Sequence, residues 1–258
     1  MKKNFLIIII LLLSVSFISD AQRWKLKRYE AIGGIGTINL FTDLGVSNSE
    51  SFLYGFRFDF TRPSVYFAMR YKFSQTISGK FGIAYGNGHS QDITNIRNEG
   101  TNGFTSNTSV FEPAVTVEYY ILKEQRRYKS AAVYNRRGML NDYSTISLYA
   151  FGGLGGTFYK AHYDVIEPRV GDKLKSSGIT LAFPFGIGLK YIYSDKIVFG
   201  YEIGPRLLLT DYLDGITFAS SKYNDVYWLT TLSIAYKIKT SRNNLPAFLD
   251  KKFRRARR

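Results

Sequence analysis

The sequence contains no cysteine. That excludes disulfides, thiol catalysis, thiolate metal sites and lipid attachment at a cysteine. Histidine is nearly as scarce. There are two, His89 and His162, so a transition-metal centre has few ligands to draw on. After Gln22 no apolar run approaches the ~20 residues of a spanning helix. What is abundant points elsewhere. The chain has 20 Tyr, 20 Phe and 23 Gly, a composition that suits β-structure with exposed aromatic belts better than a helical enzyme.

The N-terminus reads as an export signal. Lys2 and Lys3 precede a mostly apolar stretch from Phe5 to Phe17, and Ser19-Asp20-Ala21 offers small residues at −3 and −1 of a cleavage site. Residues 1–21 are therefore expected to be a signal peptide. A retained anchor is the alternative, disfavoured by the short apolar run.

The rest of the chain is organised by alternation with a period of two, in segments of about ten residues. In Ile179 to Tyr193 the odd positions are Ile179, Leu181, Phe183, Phe185, Ile187, Leu189, Tyr191 and Tyr193, and the even ones from Thr180 to Lys190 are small or polar. The segments at 65–73, 111–121, 199–207 and 228–236 alternate in the same way. Weaker ones run from Tyr29 to Leu40, Ile77 to Gly86 and Thr145 to Phe158, where glycine blurs the faces. Eight such segments predict an all-β protein: an eight-stranded antiparallel transmembrane β-barrel of the outer-membrane type over 22–236. One face of each strand would meet lipid and the other a narrow lumen.

Connection lengths set the expected orientation. Ser74-Gln75-Thr76 and Ser194-Asp195-Lys196 are short, whereas 41–63, 87–106, 161–177 and 211–225 are long and polar. Short periplasmic turns and long external loops place both termini in the periplasm. The connection from Lys123 to Tyr143 breaks the rule. It is either an insertion or the mark of a wrong register. Residues 237–258 are expected to be a mobile basic tail.

That topology sorts the charge. The formal net charge is +15, and beyond residue 21 there are 33 Lys and Arg against 19 Asp and Glu. Three segments at the predicted periplasmic end, 23–28, 123–142 and 237–258, hold 19 of those cations and three acids. The functional reading is a docking surface for an acidic periplasmic protein or for anionic envelope components. Its candidate residues are Arg126, Arg127, Arg136, Arg137, Lys251, Lys252, Arg254 and Arg255. A solvated tail without a partner is the plain alternative. An exported chain with this distribution does not read as a nucleic-acid binder.

Charges within the strands, Glu30, Arg70, Glu112, Glu118, Glu202 and Arg206, should point inward and pair, because lipid-facing charge is costly. They are expected to plug the lumen structurally, with a proton or ion path as the alternative. No catalytic group and no metal or cofactor is expected. Ser90 and Asp92 lie near His89, and Asp164 near His162, but no spacing specifies a triad. Gly33-Gly34-Ile35-Gly36 and Gly152 to Gly156 lack the helix and Gly-Lys-Ser/Thr ending of a phosphate loop.

Arg28-Tyr29-Glu30-Ala31-Ile32-Gly33-Gly34-Ile35-Gly36, followed by Asp43-Leu44-Gly45, resembles the first strand and first loop of outer-membrane barrels from Bacteroidota. That group includes PorG, a component of type IX secretion. The resemblance covers about twenty residues. It implies a non-enzymatic barrel that contacts periplasmic secretion components. Two other functions stay open: a lipid-modifying enzyme at the outer rim, and a narrow channel or ligand-binding barrel.

Overall fold

A computed structural model describes residues 23–41, 60–91, 105–124, 146–164, 173–217, 224–241 and 243–249. A short 3-10 helix, Arg23–Lys27, leads into β1, Tyr29–Phe41. The strands that follow are β2 Arg62–Lys72, β3 Ile77–Gln91, β4 Thr105–Leu122, β5 Ile146–Asp164, β6 Lys173–Leu174, β7 Ser177–Ile192, β8 Ile197–Leu208, β9 Ile216–Thr217 and β10 Val226–Ile238. Eight of them close an antiparallel barrel in the order β1-β10-β8-β7-β5-β4-β3-β2. β6 and β9 pair separately beside the long connections. The proposed signal peptide at 1–21 and Asp43 to Gly45 lie outside the described residues.

Alternation along each strand makes the two surfaces. Ile35, Phe67, Leu154 and Ile179 stand fully on the exterior, Ile35 at 68% and Ile179 at 71% exposed. Glu30, Arg70, Glu118 and Lys190 are buried in the interior. In water such an exterior would be a continuous apolar sheath; in a bilayer it is the lipid contact, and closure leaves no strand edge unpaired. The chain is an eight-stranded transmembrane β-barrel.

The two short turns are built alike. Ser74 Oγ accepts hydrogen bonds from the backbone N–H of Thr76 (3.1 Å) and Ile77 (2.9 Å). Ser194 Oγ accepts from Lys196 (3.3 Å) and Ile197 (3.1 Å). A serine that satisfies its own turn needs no longer loop. These turns share one end of the barrel, the turn end, with both described chain ends and the β4–β5 connection; the other four connections share the opposite end, the loop end.

Three sequence expectations change. β3 runs on to Gln91, β4 begins at Thr105 and β5 extends to Asp164, so parts of the expected loops are strand. The pleat continues there, but the outward residues become Asn87, His89, Asn107, Lys160 and His162. Hydropathy marks where a strand meets lipid, not where it stops. The connection after Leu122 does not reflect a wrong register: β4 and β5 stay paired to Leu122↔Leu148, with one bulge between Tyr120 and Leu122. Residues 125–145 lie outside the described set. Finally, β10 continues to Ile238, and the described residues from 239 to 249 do not trail away. They form a hook in which Thr240 bridges Pro246, Ala247 N–H donates to Lys239 O (2.9 Å), and Asn244 turns the chain at φ 59°.

Candidate functional site

The lumen is the site that the fold builds most completely. Eight strands leave room for side chains alone, and the turn-end half is filled with ions. Arg70 on β2 is 3% exposed and lies at its centre. Its Nη1 donates to Glu30 Oε2 on β1 (2.8 Å) and its Nη2 to Glu118 Oε1 on β4 (2.9 Å). Its Nε is 2.7 Å from Glu118 Oε2, and Nη2 is 3.3 Å from Glu202 Oε1 on β8. Glu30 faces Arg70 directly across the β1–β2 ladder. One guanidinium thus engages carboxylates from three strands, a use of its planar fork that an ammonium cannot copy.

Lysines complete the array. Lys80 Nζ sits 2.7 Å from both Glu202 oxygens and 3.2 Å from Glu118 Oε1. Lys190 reaches Glu30 Oε2 (3.2 Å) and the hydroxyl of Tyr120, which donates in turn to Glu118 Oε2 (2.9 Å). Tyr149 donates to Glu202 Oε1 (2.6 Å) and lies under the Arg70 guanidinium, 5.5 Å from its ring centre. Lys72 bridges Glu30 Oε1 (2.9 Å) and Glu124 Oε2 (2.5 Å), and Glu124 also takes Lys237. Burial opposes ionisation of the Glu124 carboxyl, yet Lys72 and Lys237 hold it down at about 2.

Glycines make the space. A Cβ at Gly188 would lie 2.2 Å from the Tyr149 ring, and one at Gly82 would lie 2.5 Å from the Tyr66 hydroxyl. Each tyrosine lies flat across a neighbouring strand because no side chain rises there.

Further toward the loop end, Arg206 faces Glu112 (Nε to Oε1, 3.6 Å) and donates to Gly204 O (2.8 Å). Tyr227 donates to the other Glu112 oxygen. Beside them a void of about 10 Å³ is lined by Tyr66, Lys80, Thr116 and Phe151 among others, room for a single water. Above it the filling turns apolar, with Ile38, Val110, Tyr159, Leu208, Leu213 and Leu229 all buried. Leu213 is tied into this mouth, its N–H to Asp225 Oδ2 (2.7 Å) and its carbonyl to Thr108 Oγ1 (2.8 Å).

The structure thus places Glu30, Arg70, Glu112, Glu118, Glu202 and Arg206 in the lumen. It adds Lys72, Lys80, Lys190, Lys237 and Glu124, absent from the sequence-based set. Their signal was parity: Lys72 and Lys190 occupy the inward register of their alternating strands, and Lys80 does so in a strand where glycine obscured the pattern. Lys237, counted with the tail, is buried. The eight basic residues Arg126, Arg127, Arg136, Arg137, Lys251, Lys252, Arg254 and Arg255 lie outside the described residues.

Among the described residues, the rims bring little chemistry together. His89 faces outward and its Nδ1 lies 2.7 Å from Asn107 Oδ1; Asn107 is also level with His162. Ser90 points into the lumen, where it is buried, so adjacent parity holds it away from His89. Among the described residues no three His, Cys, Asp or Glu side chains gather in a metal-binding group.

The chain belongs to the family described as domain of unknown function (DUF6089), whose profile matches residues 2–236. A search of curated proteins finds no match. Among solved structures the chain is similar to the outer membrane protein OprG from Pseudomonas aeruginosa, at a TM-score of 0.47 and 12% identity over 84% of this chain and 99% of that one. It is also similar to Ail, the attachment invasion locus protein of Yersinia pestis, in complex with the heparin analogue sucrose octasulfate, at 0.43 and 13% over 81% and 98%. A major outer membrane protein from Thermus thermophilus gives 0.42 and 9% over 81% and 98%.

Proposed function

We propose that this DUF6089 member is a non-conducting outer-membrane barrel whose turn end faces the periplasm and docks a periplasmic partner. One observation carries the reading: the lumen is filled by paired ions around Arg70 and by an apolar mouth above them. A barrel sealed in this way offers its rims, not its interior, to other molecules. The export signal read at 1–21, the short turns and the basic segments favour the turn end as the periplasmic, partner-binding rim. An acidic protein surface is the complementary partner. The resemblance of Arg28 to Gly36 to Bacteroidota barrels such as PorG supports a place for that partner in type IX secretion.

The test is co-purification after cross-linking in native membranes. The full chain is compared with a variant carrying Arg126, Arg127, Arg136 and Arg137→Glu, and with one lacking 251–258. Loss of a specific co-purifying protein in either variant, with the barrel still folded, is expected. Unchanged recovery in both would refute the adaptor role. Planar-bilayer recordings supply the second arm, because steady single-channel currents from the unaltered protein would show the lumen to be open.

A further inference from the structure

The hook at 243–249 exposes three large apolar side chains: Leu245 at 45%, Phe248 at 54% and Leu249 at 60%. Nearby on the 3-10 helix, Leu26 is 57% exposed. Four such residues at a polar rim call for a partner surface, and the position of the hook indicates which. Tyr29 lies on the outward face of β1, and its hydroxyl donates to Asn244 O (3.1 Å). The hook therefore hangs on the outside of the barrel wall, not beneath the lumen. Thr240 fastens its base, with its N–H to Leu26 O (2.8 Å) and its Oγ1 accepting from Arg28 N–H (3.0 Å).

The wall at that point is an aromatic girdle. Tyr29 packs against Tyr71 with the rings tilted and their centres 4.9 Å apart, and Tyr71 meets Phe73 edge-on at 5.0 Å. The Arg28 guanidinium donates to Tyr71 OH (2.9 Å). Amphipathic rings in this arrangement mark the level of the lipid headgroups. The apolar side chains of the hook are thus continuous with the lipid-facing belt. Lys25 precedes Leu26 in the 3-10 helix, the Arg28 N–H bonds the Thr240 that fastens the hook, and the carbonyl of the exposed Lys239 accepts from Ala247 within it. Apolar side chains edged with cations match the boundary between acyl chains and anionic headgroups.

We propose that residues 243–249 are an interfacial foot. Leu245, Phe248 and Leu249 enter the leaflet at the turn end, and Lys25, Arg28 and Lys239 meet anionic phospholipid headgroups. The proposal rests on the membrane placement of the barrel and extends it to a segment outside the strands.

The absence of cysteine makes single-cysteine labelling unambiguous. An environment-sensitive fluorophore is attached to the full-length protein at Leu245→Cys, at Phe248→Cys and, as a belt control, at Ile35→Cys. Folding is checked by heat-modifiable gel mobility. The protein is inserted into phosphatidylethanolamine–phosphatidylglycerol vesicles containing lipid nitroxide-labelled near the headgroup end of the acyl chain. All three labels should lose about half of their emission or more. In vesicles of phosphatidylcholine alone, hook quenching should fall about twofold while the belt control stays constant. A quenched belt with hook labels that remain open to aqueous iodide would overturn the foot and leave the hook for a protein, with the membrane barrel intact. An unquenched belt would defeat the membrane placement itself. Equal hook quenching in both lipid mixtures would remove the role given to Lys25, Arg28 and Lys239.

Discussion

The two halves of the lumen fill the same narrow space by opposite means. Toward the turn end, Arg70, Lys72, Lys80, Lys190 and Lys237 interleave with Glu30, Glu118, Glu124 and Glu202. Toward the loop end, Ile38, Val110, Leu208, Leu213 and Leu229 pack against Tyr159 and Tyr227. An ionic plug stabilises only while every charge has its partner, and one missing member strands the rest. An apolar plug degrades by degrees, in proportion to the cavity left behind. The ionic half should therefore be rigid and intolerant, the apolar half more forgiving.

The sharpest way to break this contrast is Arg70→Met, which removes the cation shared by Glu30, Glu118 and Glu202 and leaves them to Lys72, Lys80 and Lys190 alone. A loss of about 3–5 kcal/mol is expected in urea unfolding from lipid vesicles, and Arg70→Lys should recover only part of it. In the apolar half, Leu229→Ala should cost about 2–4 kcal/mol and Ile38→Val about 1 kcal/mol by the same measurement. If Arg70→Met proved milder than Leu229→Ala, the contrast would be reversed. A third variant probes the space instead of the charge. Gly188→Ala pushes on the Tyr149 ring and so on its bond to Glu202, with an expected cost of about 1–3 kcal/mol; Gly188→Ala combined with Tyr149→Phe should cost less than the two changes added together.

A further effect concerns acid. The Glu124 carboxyl sits at about 2 in the folded protein against an ordinary 4.5. A depressed folded value adds stability that is complete above about pH 4.5 and is lost as the pH falls toward 2. The unfolding midpoint should decline across that window, and Glu124→Gln should flatten that part of the decline. An unchanged acid profile in the variant would remove Glu124 from the plug.

Much of the wall was legible beforehand because lipid and lumen impose period-two alternation on every spanning strand. The faces read for 179–193, 199–207 and 228–236 are those the barrel presents. The ends of β3, β4 and β5 were not legible, since beyond the bilayer Asn87, Asn107 and His162 leave no hydropathic contrast. Nor was the hook, whose bonds join Thr240 to Arg28 and Asn244 to Tyr29 across more than 200 positions.

By itself the sequence determined how many times the chain crosses, which side chains face inward in the five clearly alternating strands and which connections are short. These properties are local, following from the pleat and from the cost of placing a polar group in hydrocarbon. Tertiary structure alone decided which charge meets which. Closure of the barrel brings Glu30, Glu118 and Glu202 within reach of the Arg70 guanidinium, and that depends on the register between strands. Parity survives a register shift of two residues, but the set of ion pairs does not.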